Sequence, residues 1–120
     1  MILVDTSVRA DHLRTGNQDL AARLDTGHVL APIVVIGELA LDPLRQRETL
    51  LAQFADLPQA VLGTAAEVLA FITTHALFGE DIGYVDAQLL AATSPTRDAT
   101  LWTQDKCLHA IAARLSLAAA

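Results

Sequence analysis

The chain has 120 residues, 52% of them hydrophobic and 18% charged, with four prolines and six glycines. That length suits one compact domain, expected over 1–120, and that composition excludes disordered, collagen-like and linker-rich classes. Fourteen acids against eight bases give a net charge of -6, so the overall field repels nucleic acid, and only cations held in an acidic pocket would reverse the sign locally.

In chain order, "ILVD" reads as a short strand, because its apolar run is continuous and not alternating, as in a parallel strand covered on both faces. "TSVRADHLR" reads as a helix, and a second one, "QDLAARLD", follows the capping Asn17 and stops at Gly27. "HVLA" is the second strand, and Pro32 suits the first turn of a helix through "IVVIGELAL". Asp42 and Pro43 repeat that signal ahead of "LRQRETLLAQFADL", whose stripe is Leu44, Leu50, Leu51, Phe54 and Leu57. "QAVLG" is expected as the third strand. Thr64 and Glu67 make a T-x-x-E capping box ahead of "VLAFITTHAL". "FGEDIG" is irregular, "YVDAQLLAAT" helical, "SPTRD" a turn, "ATLWT" a strand, "DKCLHAIAARL" the last helix, and the "AAA" tail is expected to fray. Alternating strands and helices predict an α/β class with a mostly parallel sheet and helices on both faces.

No basic stretch with a long apolar run marks a signal peptide, and "VLAPIVVIG" is too short to cross a bilayer. A cytoplasmic protein without a membrane partner is therefore expected. A single cysteine, Cys107, makes no internal disulfide and lacks the neighbours of a zinc or redox motif, so it reads as a packing residue.

Four acids raise the question of chemistry. Asp5 and Asp105 each follow a strand and precede a helix, where a carboxylate can cap the first amides, and Asp86 falls in a first helical turn, where negative charge suits the dipole. Glu38 is harder to place, because its neighbours at helical spacing include Val34, Val35 and Leu41 and an unpaired carboxylate there is costly. It could also pair with an arginine or reach the rim. Residues at the carboxyl ends of parallel strands converge on one sheet edge, where ligands bind. Four carboxylates meeting there would repel one another unless protonated or neutralised by cations. Hard oxygen donors would select magnesium or manganese over zinc, and the histidines, His12, His28, His75 and His109, are scattered and receive no role.

These residues sit in segments with a known pattern. "VDTSV", "IGELA", "GYVDAQLLAA" and "LWTQDK", in that order over nearly the whole chain, resemble the four motifs of the PIN domain, and more narrowly those of VapC-type toxins of bacterial toxin-antitoxin modules. The resemblance implies a three-layer α/β/α sandwich and a Mg2+- or Mn2+-dependent ribonuclease restrained by a cognate, VapB-like antitoxin. On that pattern Asp5, Glu38, Asp86 and Asp105 are the catalytic and metal-holding acids, and Thr6 and Thr103 are hydroxyls that orient a carboxylate, a water or a phosphate. One departure is "VRADHLR", where Arg9 and Ala10 stand at positions that are often aromatic or bulky in such sequences. Asp81 and Asp98 have no place in the pattern and read as exposed loop residues.

RNA has to be held despite the net charge, and Arg9, Arg14, Arg45, Arg47 and Lys106 are the candidate phosphate contacts, Lys106 foremost because it follows Asp105 at a helix start. The leucine- and alanine-rich helices suggest a homodimer and an antitoxin groove. Two other classes compete: a PIN-like module that only binds protein, which would gain nothing from four repelling acids, and a phospho-receiver, whose acidic pair and phosphorylatable aspartate are missing here.

Overall fold

A computed structural model describes residues 2–5, 7, 29–30, 32–41, 47–57, 62–96 and 98–119. Three strands, β1 (Ile2–Val4), β2 (Val29–Leu30) and β3 (Thr100–Trp102), form a parallel sheet in the order β2-β1-β3. The helices are α1 (Ile33–Leu41), α2 (Arg47–Ala55), α3 (Ala65–Thr74), α4 (Tyr84–Thr93) and α5 (Lys106–Arg114). The continuous apolar reading of β1 has a direct physical counterpart. Leu3 lies in register with Leu30 and Leu101 and shares a core with Val35, Leu90, Leu108 and Ile111 on one face. Ile2, Val4 and Val29 point the other way, against Leu57 and Trp102. A central strand buried on both faces leaves Leu3 and Val4 at 0% exposure, and each such side chain contributes roughly 1.5–3 kcal/mol of burial. This is the expected α/β arrangement.

Local signals set the helix starts. Thr64 Oγ1 accepts the Glu67 amide at 3.2 Å while Glu67 Oε1 accepts the Thr64 amide at 3.0 Å, which is the reciprocal capping box read from the sequence. Hydrogen bonds to the carboxyl from the Thr64 amide and the Thr64 side chain hold Glu67 below its ordinary value. Asp105 caps α5, its Oδ1 accepting the Leu108 amide at 3.0 Å. Asp86 Oδ2 accepts the Gly83 amide at 3.3 Å and so closes the start of α4.

Three expectations change. The tail is not frayed at Ala118 and Ala119: Ala118 bridges Leu101 in parallel, Leu101 N donates to Leu117 O at 2.6 Å and Ala119 N donates to Leu101 O at 2.9 Å. β3 would otherwise present unpaired backbone groups on that side, and the tail satisfies them. Cys107 is exposed and not a packing residue, because its position on α5 faces away from the buried Leu108, Ile111 and Ala112; its sulfur lies 4.0 Å from Asp81 Oδ2. The strand expected in "QAVLG" falls mostly outside the described residues, and Leu62 and Gly63 carry no strand. The two helices expected between β1 and β2 also lie outside them, apart from Ser7, which is helical. Asp81 and Asp98 are exposed, as expected.

Candidate active site

Asp5 stands one residue past β1, at the carboxyl edge of the sheet, and is only 5% exposed. Its backbone amide donates to Trp102 O at 3.3 Å, which ties it to the end of β3. Both carboxylate oxygens are held by hydroxyls. Ser7 donates to Oδ1 through its amide at 3.1 Å and its Oγ at 2.5 Å, and Thr103 Oγ1 donates to Oδ2 at 2.6 Å. Charge-assisted bonds of this length are the strong class, and they fix the carboxylate's orientation.

The same hydroxyls reach the fourth motif, "LWTQDK". Thr103 Oγ1 accepts the Asp105 amide at 3.0 Å, Ser7 Oγ accepts the Gln104 amide at 2.9 Å, and the two hydroxyl oxygens lie 3.2 Å apart. Thr103 is 7% exposed, so water cannot take its place easily. The end of β1 and the start of α5 are thus joined through two side chains, and Asp105 is at once a helix cap and a member of this edge. Nearby, Asp86 is half-buried on the first turn of α4. Its carboxyl is pushed above the ordinary aspartate value, first by burial and further by the negative charges of Asp5 and Asp105, while the Gly83 N–H pulls the other way. The charges of two acids from separate segments therefore reach a third on α4.

Glu38 is half-buried on α1, flanked in sequence by the buried Val35 and Leu39. Lys106 is exposed, directly beside Asp105. Thr6, Arg9, Arg14 and Arg45 lie outside the described residues, as does the side chain of Arg47. Ser7 was not singled out in the sequence, although a second hydroxyl in "DTS", two residues past the acid, is the spacing at which a side chain can fold back on a carboxylate.

Among the described residues no group of three or more His, Cys, Asp or Glu side chains is close enough to cage a metal ion. Zinc would want such a cage; magnesium keeps several waters and is commonly held by one or two carboxylates together with substrate phosphates. An all-oxygen edge whose central acid has its orientation fixed and whose neighbour is destabilised by negative charge fits the hard cations. A larger cavity of about 670 Å³ lies between α3 and α4, with Leu62, Phe71, Ala91 and Thr96 in its wall. Among its described lining residues the one acid, Glu67, is engaged at the α3 cap. No described helix is long and apolar enough to cross a membrane.

No family model matches the chain. It is 40% identical over 120 residues, all of this chain and 97% of the relative, to Ribonuclease VapC32 of Mycobacterium tuberculosis, in both strain CDC 1551 / Oshkosh and strain ATCC 25618 / H37Rv. An identity of that size over the full length, on a parallel α/β sheet, shows that the chain belongs to the VapC ribonuclease family.

Proposed function

We propose that this protein is a ribonuclease toxin that hydrolyses RNA phosphodiester bonds at the Asp5 edge and is restrained by a VapB-like antitoxin. The observation that carries the reading is the convergence of Asp5, Asp86 and Asp105 from β1, α4 and α5, with Asp5 clamped by Ser7 and Thr103. The likeness to Ribonuclease VapC32 supports it.

Asp5 would hold Mg2+ or Mn2+ directly, and Asp86, Asp105 and, from α1, Glu38 would complete the set partly through waters, since magnesium gives these up reluctantly. When bound, such an ion neutralises the phosphate and acidifies a water to serve as nucleophile. The protein's own work is positional. Ser7 and Thr103 fix both Asp5 oxygens before any ligand arrives, so little reorganisation is needed on binding. Asp86 Oδ2 accepts the Gly83 amide, which fixes this carboxyl at the start of α4. Burial and the two neighbouring acids raise its proton affinity in the metal-free protein, so a bound cation would relieve the cost of its charge. The attacking water would give up its proton to solvent and add to phosphorus as the bond to the 3'-oxygen breaks, and the departing 3'-oxygen would take up a proton from solvent. Lys106 and the arginines of the 6–14 segment supply phosphate contacts that the net charge of -6 does not.

The test is cleavage of single-stranded RNA by purified protein, with Mg2+ or Mn2+ titrated into a chelator-treated sample. The reading expects no cleavage with chelator alone, recovery on adding either ion, and inhibition by the antitoxin. Full cleavage in chelator would contradict the metal assignment, and no cleavage under any condition would favour a protein-binding module. Exposed apolar side chains on α1 and α3, Leu41 at 87% and Leu69 at 57%, suit a homodimer, which sedimentation would detect.

A further inference from the structure

We infer that Phe78 and Tyr84 form a stacking cleft for one base of single-stranded RNA, immediately beside the acidic edge. This rests on the ribonuclease reading above and adds the element that grips the substrate. The protein has five aromatic side chains in all. Phe78 and Tyr84 are exposed at 69% and 48%, and both line one small cavity of about 250 Å³ together with Ile72, Leu77, Ile82 and Gly83. That is below the roughly 300–1,000 Å³ of sites that enclose a drug-sized molecule, which suits a single ring system and not a large ligand.

The cleft is built and not merely left over. Glu80 N donates to Leu77 O at 3.2 Å and Gly79 has φ +79, so residues 77–80 make a turn whose third position needs positive φ. Leu77, 4% exposed, anchors one end in the core. Glu80 anchors the other, its carboxylate 3.7 Å from Arg114, whose second guanidinium nitrogen donates to His75 O at 3.2 Å. Phe78 sits at the second position of this tethered turn, held out toward solvent. Tyr84 is the first residue of α4, the helix that presents Asp86.

Continuity with the reacting edge selects the occupant. Gly83 lines the cleft, and its amide donates directly to Asp86 Oδ2, so cleft and acid share a residue. Stacking on aromatic faces needs no positive charge and tolerates any base, which answers how a chain of net charge -6 keeps RNA near its carboxylates. A base held against Phe78 and Tyr84 would sit in a cleft whose wall includes Gly83, the residue bonded to Asp86.

The test compares binding of a random-sequence single-stranded RNA pool with that of an abasic ribose-phosphate chain of equal length, both in Mn2+ at a temperature where cleavage is slow. Phe78→Leu and Tyr84→Leu keep apolar bulk and lose the ring; Phe78→Tyr and Tyr84→Phe keep the ring. The inference expects each leucine variant to bind the RNA pool about 5- to 150-fold more weakly and the abasic chain as wild type does, with the ring-keeping variants near wild type. Leucine variants that bind RNA as wild type does, when wild type itself binds, would overturn the cleft and leave the ribonuclease reading standing. Unchanged RNA binding with a change in sedimentation would assign the cleft to self-association and equally overturn the inference. A wild type that binds no RNA in Mg2+ or Mn2+ would instead bring down the ribonuclease reading itself, and the cleft with it.

Discussion

Replacing Thr103 with valine isolates the hydroxyl that organises the acidic edge. Valine keeps the shape of the side chain, so almost no cavity opens, and the change removes one O–H donor to Asp5 Oδ2 at 2.6 Å and one acceptor for the Asp105 amide at 3.0 Å. A hydrogen bond to a charged group is worth about 1.5–3 kcal/mol, and at 7% exposure water is poorly placed to substitute. The stranded Asp105 amide adds to the loss. Thr103→Val should therefore destabilise by about 2–3 kcal/mol, read as a lower urea midpoint at unchanged slope. Thr103→Ser keeps the hydroxyl and should cost about 1 kcal/mol or less, for one lost methyl. In an Asp5→Asn background the valine penalty should fall toward the value of a neutral hydrogen bond, about 1 kcal/mol. A Thr103→Val protein within about 0.5 kcal/mol of wild type, or an equal penalty in both backgrounds, would refute the clamp.

Asp86→Asn keeps the oxygen that accepts the Gly83 amide and removes a charge that burial and two neighbouring acids disfavour. Because the folded carboxyl binds its proton more tightly than the unfolded one, ionisation costs stability above the ordinary value of 3.8. Metal-free Asp86→Asn should thus be more stable than wild type at neutral pH, with the gain fading as pH falls toward 3.8; a less stable variant at pH 7 would contradict this. Thr64→Ala removes the α3 cap and should cost about 1 kcal/mol by urea unfolding. The Glu67 carboxyl, held low by Thr64, should return toward its ordinary 4.5 in that variant by NMR titration, and the stability it confers above 4.5 in wild type should disappear as pH falls. Ala119→Pro deletes the donor to Leu101 O and should cost about 1–3 kcal/mol; no change in unfolding midpoint would mean the tail does not pair in solution.

Much of this arrangement is legible in local chemistry. "YVDAQLLAAT" gives α4 to the residue, since Gly83 breaks the chain before it and Asp86 reaches back to cap it. The T-x-x-E box gives the start of α3 in the same way. Pairing between distant segments is less visible. Nothing in "SLAAA" signals that Ala119 will meet Leu101, because the bond answers the needs of a strand eighteen residues earlier in the chain, not any local preference. Cys107 misled for a related reason: its residue type favours burial, but the helical phase set by Leu108, Ile111 and Ala112 puts it outside. For the site, the cap roles of Asp86 and Asp105 are readable locally, and they coexist with the reach of the Asp5 and Asp105 charges to Asp86. Distances were not readable. That Thr103 bonds Asp5 across ninety-eight positions, that Ser7 joins it, and that the charges of Asp5 and Asp105 reach Asp86 are properties of the folded edge alone.

The central claim is that Asp5 is the acid on which the chemistry turns, and single-turnover cleavage of single-stranded RNA in Mn2+ by Asp5→Asn protein tests it most directly. Asparagine can still accept from Ser7 or Thr103, so circular dichroism and the urea midpoint should show a folded protein with stability equal to or above that of the metal-free wild type. Cleavage should drop below detection in the same sample. A folded Asp5→Asn protein that cuts RNA at the wild-type rate would contradict the account and move the chemistry away from this edge.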